Sequence, residues 1–113
     1  METAPAADHE IMRDPAWQSA FARNIKEALR PGVDGWLDGS FALDGDWSDF
    51  DATKAGRNIT WWHSDDDRNC PLSAAERLIA RLPDARLHVW IDAGHLAAYR
   101  KEGEILDELL GRT

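Results

Sequence analysis

The chain has 113 residues, of which 43% are hydrophobic, a length and composition that suit one small folded domain. Its formal net charge of −8 argues against nucleic acid and anionic membranes as partners, because both carry negative charge. No apolar stretch is long enough to cross a bilayer, and the first residues lack the basic and apolar parts of a secretory signal. The single cysteine, Cys70, has no partner for an internal disulfide, so we expect a cytoplasmic protein.

The N-terminal half is predicted to be a leader followed by a helical segment. Residues 1–15 are polar or small and contain two prolines, which is typical of a flexible leader. Asp14 and Pro15 form a helix-start pattern, and apolar residues then recur at helical spacing. A second, short helix is predicted around residues 35–43. We interpret residues 16–57 as a cap-like or lid-like segment.

Large aromatic side chains lie among the glycines of this segment. Trp36, Phe41 and Trp47 are the candidate substrate-binding residues, because aromatic side chains on a glycine-broken scaffold suit the wall of an apolar pocket. A loop held on the core by its aromatic side chains is an equally good interpretation.

The C-terminal half alternates between strand and helix patterns. Residues 58–63 and 86–91 are predicted strands, while residues 73–82 and 96–110 are predicted helices. Two strands joined by a helix form a right-handed parallel unit, so residues 58–113 are predicted to be a β-α-β-α arrangement. Parallel sheets are normally buried on both faces, and two strands alone leave both edges open. We therefore expect the end of a larger α/β sheet; the alternative is a small self-contained α/β domain that dimerises through its open edge.

A polar loop follows each predicted strand, and sites of open α/β sheets form at the carboxyl ends of strands. Asp67 lies in the first loop and His95 in the second, so the two are candidates for an acid–histidine pair. In such a pair the carboxylate accepts the Nδ1 hydrogen and stabilises the imidazolium that forms during catalysis. Asp65 and Asp66 are the alternatives for the acid.

The same loops allow two other kinds of chemistry. His63, Asp65, Asp67 and His95 offer nitrogen and oxygen ligands, but no His-x-His or Glu-x-x-His spacing supports a metal site, so none is predicted. Cys70 beside a proline would suit a thiolate nucleophile, although a small apolar loop residue is the better interpretation. No cofactor is implied.

The two loops together resemble a known family. The stretch Trp61-Trp-His-Ser-Asp-Asp-Asp-Arg-Asn-Cys-Pro71 resembles the α/β-hydrolase segment in which a strand leads through a glycine turn to the catalytic acid and then to a proline. Ala93-Gly-His-Leu96 resembles the loop that delivers the catalytic histidine, and the order of acid before histidine agrees. The resemblance covers residues 57–113. It implies the C-terminal portion of an α/β-hydrolase fold, with Asp67 as the triad acid and His95 as the triad histidine.

The chain also departs from this family pattern. The usual turn glycine is Ser64, the usual aliphatic residue before the proline is Cys70, and residues 16–56 resemble the family's cap less specifically. No Gly-x-Ser-x-Gly elbow occurs, and the oxyanion-hole loop that precedes it is absent.

Two functions are therefore predicted. The resemblance implies a truncated esterase- or lipase-type hydrolase that is inactive as an isolated chain, with a small apolar ester-like molecule as the substrate of an intact relative. The alternative is a non-catalytic α/β module that dimerises or binds a partner through its open sheet edge. The protein partners to be expected are a second copy of the chain or a complementing N-terminal half.

Overall fold

The computed structural model describes residues 3–112 of the chain. The elements in chain order are α1 (Ala6–Arg13), α2 (Pro15–Ala28), α3 (Asp34–Leu43), a 3₁₀ turn (Ala52–Lys54), β1 (Ile59–Ser64), α4 (Leu72–Ile79), β2 (Ala85–Trp90) and α5 (Ala98–Leu109). None of the described helices combines the length and the apolar character needed to cross a membrane. The chain divides into two compact units, one of residues 12–51 and the other of residues 3–11 with 52–112.

A two-stranded parallel sheet organises the larger unit. β1 and β2 pair in a register that runs from Ile59 opposite Ala85 to Ser64 opposite Trp90, and α4 joins the strands and contacts both. The mixed α/β class and the β-α-β-α order of the C-terminal half are confirmed. Each strand differs from its predicted range by one residue at either end.

A small apolar cluster lies between this sheet and α5. Trp90, Ala93 and Ala97 are buried together, and Trp62 and Ile105 pack against them. The rings of Trp62 and Trp90 stack with their centroids 5.4 Å apart. Among the described residues no large side chain is fully enclosed, so this core is small for the length of the chain.

The N-terminal residues differ from the predicted leader. Where the sequence predicts a flexible leader over residues 1–15, residues 6–13 form α1. Asp8 and Ile11, one helical turn apart on α1, are both buried within the larger unit. Composition alone does not reveal this helix, because the groups that bury it lie far along the chain.

The smaller unit consists mainly of α2 and α3. Asp14 caps α2 by accepting a hydrogen bond from the Ala16 N–H, and Pro15 takes the first helical position, as the sequence predicts. α3 matches the short helix that the sequence predicts. Neither helix contains a buried residue: the apolar side chains of α3 are exposed, whereas Trp17 and Phe21 of α2 are half-buried.

Candidate acid–histidine site

The loops that follow β1 and β2 bring Asp67 and His95 together. The parallel register sets Ser64 opposite Trp90, so both loops leave the same edge of the sheet. His95 Nδ1 lies 2.9 Å from Asp67 Oδ2 and 3.1 Å from Asp67 Oδ1. The Asp67 side chain is only 8% exposed, whereas that of His95 is 42% exposed. The acid is therefore enclosed, while the imidazole, with Nδ1 engaged, can use Nε2 toward another group.

Hydrogen bonds within the first loop hold the Asp67 carboxylate. Its Oδ1 accepts the backbone N–H groups of Asn69 and Cys70, both at 2.9 Å. Burial raises the pKa of Asp67, but the hydrogen bonds from the Cys70 N–H, the His95 ring and the Asn69 N–H together outweigh it. The pKa of Asp67 consequently lies below its usual range, and the carboxylate is ionised at neutral pH.

His63 braces the same loop from the end of β1. Its Nε2 lies 2.7 Å from the Cys70 carbonyl oxygen, and the Trp61 indole N–H donates to its Nδ1 at 3.4 Å. These two contacts fit the tautomer in which Nε2 carries the hydrogen. The His63 side chain is 10% exposed, and its Nε2 is 4.0 Å from Asp67 Oδ2. His63 therefore supports the loop that carries Asp67, and His95 is the histidine that makes the closer contact with the carboxylate.

The two neighbouring aspartates have other partners. Asp65 accepts the backbone N–H groups of Asp92 and Ala93, each at 3.1 Å. The Ala93 N–H is the largest influence on the pKa of Asp65, which lies below its usual range despite the opposing effect of desolvation. Asp66 pairs with Arg68 at 3.1 Å. Neither carboxylate faces the histidine, so Asp67 is the aspartate of this loop that contacts it.

A fourth carboxylate, from α1, binds the backbone of the histidine loop. Asp8 Oδ2 accepts the His95 N–H at 3.0 Å, and Asp8 Oδ1 accepts the Leu96 N–H at 2.9 Å. A Cβ atom on Gly94 would overlap this carboxylate, so a glycine is required for its close approach. Sequence reasoning missed Asp8, which precedes the histidine by 87 positions. The glycine before the histidine was the one signal that something approaches this loop closely.

The predicted substrate-binding residues all lie in the smaller unit. Trp36 and Trp47 line one groove of about 480 Å³ beside α3, and the Trp47 indole N–H donates to the Ala42 carbonyl at 3.2 Å. Phe41 is not among the residues that line this groove and is 74% exposed. The structure therefore brings together two of the three aromatic side chains.

The alternative chemistries find less support in the geometry. Within residues 3–112, no group of three or more His, Cys, Asp or Glu side chains is arranged to hold a metal ion. Asp65, one of the four ligands considered, is directed at backbone N–H groups instead. Cys70 is an exposed free thiol, and it contributes its backbone N–H and carbonyl to the site.

No family model, curated protein or solved structure gives a significant match to this chain. The fold and the site thus define a mixed α/β protein in which two adjacent parallel strands deliver an ionised aspartate and a histidine to one edge. Such a pair can remove a proton from a neighbouring hydroxyl or thiol through His95 Nε2, while Asp67 stabilises the imidazolium.

Proposed function

We propose that this chain supplies the acid and the histidine of an esterase-type hydrolase of the α/β-hydrolase class. The contact between His95 Nδ1 and the Asp67 carboxylate, 2.9 Å at the shorter oxygen, is the observation that carries the proposal. Its position at the carboxyl ends of two parallel strands supports the same assignment, because that edge is where open α/β sheets form their sites.

Each residue of the pair has a defined role in ester hydrolysis. His95 Nε2 takes the proton of the nucleophile as it attacks the ester carbonyl, and returns it to the leaving alcohol. His95 then activates the water that releases the acyl group. Asp67 stays ionised throughout, which its lowered pKa favours, and holds the ring with Nδ1–H toward itself.

The nucleophile and the oxyanion-hole donors must come from outside these 113 residues. No Gly-x-Ser-x-Gly elbow occurs in the sequence, and an acid and a histidine alone cannot form an acyl-enzyme. The preceding reading frame or a complementing polypeptide would provide them.

Residues 16–57 would act as the cap of this hydrolase. Trp36, Phe41 and Trp47 would contact the apolar part of a small ester, and these residues are 59–74% exposed, so much of each side chain is accessible for such a contact.

A second candidate function is a non-catalytic α/β module that joins a partner through its sheet. Within the described residues β1 and β2 pair only with each other, so each has one open edge. Open edges are templates for strand addition, by a second copy or by a complementing N-terminal half.

Hydrolysis of p-nitrophenyl esters tests the first proposal. We expect no rapid turnover by the 113-residue chain, and turnover by the chain extended with the in-frame sequence that precedes residue 1. His95→Ala should abolish the activity of the extended protein. Asp67→Asn should lower its kcat by about 10⁴-fold, as loss of the triad acid does elsewhere.

Asp66→Asn is the matched control, because it alters an adjacent carboxylate that pairs with Arg68 and should leave kcat within about twofold of the unmodified protein. Rapid turnover by the 113-residue chain that His95→Ala removes would contradict the missing nucleophile. An extended protein without an elbow and without activity would favour the binding module.

A further inference from the structure

We propose that Asp8 is a positioning residue for the acid–histidine pair: it fixes the backbone of His95 so that the imidazole meets Asp67. The inference rests on the proposed function of that pair. It concerns a residue of the N-terminal helix that the sequence did not connect with the site.

The geometry of the Asp8 carboxylate indicates a dedicated contact. Its two oxygens bind two consecutive backbone N–H groups, those of His95 and Leu96, at 3.0 and 2.9 Å. Asp8 is only 6% exposed, so water competes little for these two backbone donors.

The histidine loop is held on both sides of Gly94. On the strand side, Asp65 accepts the N–H groups of Asp92 and Ala93. On the helix side, Asp8 accepts the next two N–H groups after the glycine. Glycine is the most permissive backbone position, so without the second carboxylate the loop could turn at Gly94 while the strand side stayed in place. The backbone of His95 would then no longer hold the imidazole in position beside Asp67.

Gly94 and Asp8 also fit each other sterically. A Cβ atom at Gly94 would overlap the Asp8 carboxyl group, so any other residue there must displace it. The helix that carries Asp8 is itself anchored, because Ile11 on the following turn of α1 is 3% exposed. The carboxylate is thus presented by a packed helix to a loop whose glycine leaves room for it.

The imidazole ¹⁵N shifts of His95 test this role in the full chain at alkaline pH, where they report which nitrogen carries the hydrogen. We expect the Nδ1–H tautomer in the unmodified protein, because the Asp67 carboxylate accepts that hydrogen. Asp8→Ala should move the ring toward the Nε2–H tautomer. It should also make the His95 and Leu96 amide hydrogens exchange about tenfold faster or more, the factor that one lost hydrogen bond corresponds to.

Glu10→Ala is the control variant, since Glu10 lies on α1 with its side chain 74% exposed and should change neither readout. Gly94→Ala should reproduce the Asp8→Ala result, because its methyl group displaces the carboxylate. Asp8→Asn keeps one acceptor oxygen and should give an intermediate result. It replaces Asp8→Ala in the test if the alanine variant does not fold.

A folded Asp8→Ala or Asp8→Asn protein with the unmodified tautomer and unmodified amide exchange would overturn the proposal. A change in amide exchange without a change in tautomer would also overturn it, because Asp8 would then support the loop without positioning the ring. The proposed function fails separately, if the unmodified protein lacks the Nδ1–H tautomer or if Asp67→Asn leaves the tautomer unaltered.

Discussion

Three adjacent carboxylates in the loop after β1 each have a different partner. Asp65 binds backbone N–H groups of the histidine loop, Asp66 binds the Arg68 guanidinium, and Asp67 binds the His95 ring. The three aspartates thus have different roles, because the backbone places a different hydrogen-bond donor within reach of each one. The pKa values of Asp65 and Asp67 are both lowered, so two of the three anions strengthen the native loops when they are ionised.

Asp67 should make folding stability sensitive to acid. The pKa of Asp67 is lowered in the folded state, so its contribution is complete above the unfolded value, about 3.9, and is lost as pH falls through the folded value. Asp67→Asn should lower the free energy of unfolding at neutral pH by about 1–3 kcal/mol, and this difference should shrink in acid. Urea denaturation at a series of pH values measures both effects.

His95→Ala provides the companion variant for this measurement. Removing the ring removes its hydrogen bond and its charge, so the pKa of Asp67 should rise toward the unfolded value. The acid dependence of stability should then become weaker than in the unmodified protein. Parallel pH profiles for the unmodified protein and for Asp67→Asn would show that Asp67 does not contribute in this way.

Two residues beside the strands have a left-handed backbone conformation. Asp92, two residues after the end of β2, has a φ of 52° in the left-handed region, and Asn58, directly before β1, has a φ of 59°. Asp and Asn tolerate this conformation better than other non-glycine residues, because their short polar side chains bind locally. Ser64, the last residue of β1, is not among the residues with positive φ, so no glycine is required there.

Substitutions of Asp92 test how much its left-handed backbone conformation costs in folding stability. Asp92→Gly should keep or slightly raise the free energy of unfolding, whereas Asp92→Ala should lower it by about 1 kcal/mol relative to glycine. Both variants retain the N–H that donates to Asp65, so the difference isolates the cost of positive φ. Equal stability of the alanine and glycine variants in chemical denaturation would argue against the left-handed turn.

Local patterns predicted the elements well and their distant contacts poorly. Strands β1 and β2 follow from runs of β-branched and aromatic residues, and the start of α2 follows from Asp14 and Pro15, because these signals lie within a few residues. α1 was missed, since its buried Asp8 bonds to the chain 87 positions later. The contact of Asp67 with His95 was predictable only because parallel strands place their carboxyl ends together.

At the scale of the whole molecule, the described residues leave sheet edges and large apolar side chains uncovered. Two parallel strands leave open edges within the described residues, and large apolar side chains such as Ile91 and Leu109 are more than 70% exposed. The buried indole nitrogen of Trp90 also has no hydrogen-bond partner in the described structure, which costs about 1–3 kcal/mol. The small Trp90 cluster and the other buried apolar side chains, Ile11, Ala52 and Ala75, have to offset these costs.

We therefore expect the isolated chain to gain stability by association. Its thermal unfolding should be broad, and its Tm should rise with protein concentration because self-association covers the open edges. Calorimetry over a dilution series, combined with sedimentation, measures both properties. A sharp, high transition of a monomer at every concentration would show that two strands suffice.

The tautomer of His95 in the unmodified chain and in Asp67→Asn tests most directly whether the pair is the acid–histidine half of a triad. Asparagine can keep the oxygen that accepts the Asn69 and Cys70 N–H groups, but its NH₂ group then replaces Oδ2, the oxygen nearest to Nδ1, and donates where the carboxylate accepted. Imidazole ¹⁵N shifts at alkaline pH should report Nδ1–H in the unmodified chain and Nε2–H in Asp67→Asn, with Asp66→Asn unchanged. An Nε2–H ring in the unmodified chain, or the same ring state in all three proteins, would contradict a catalytic pair.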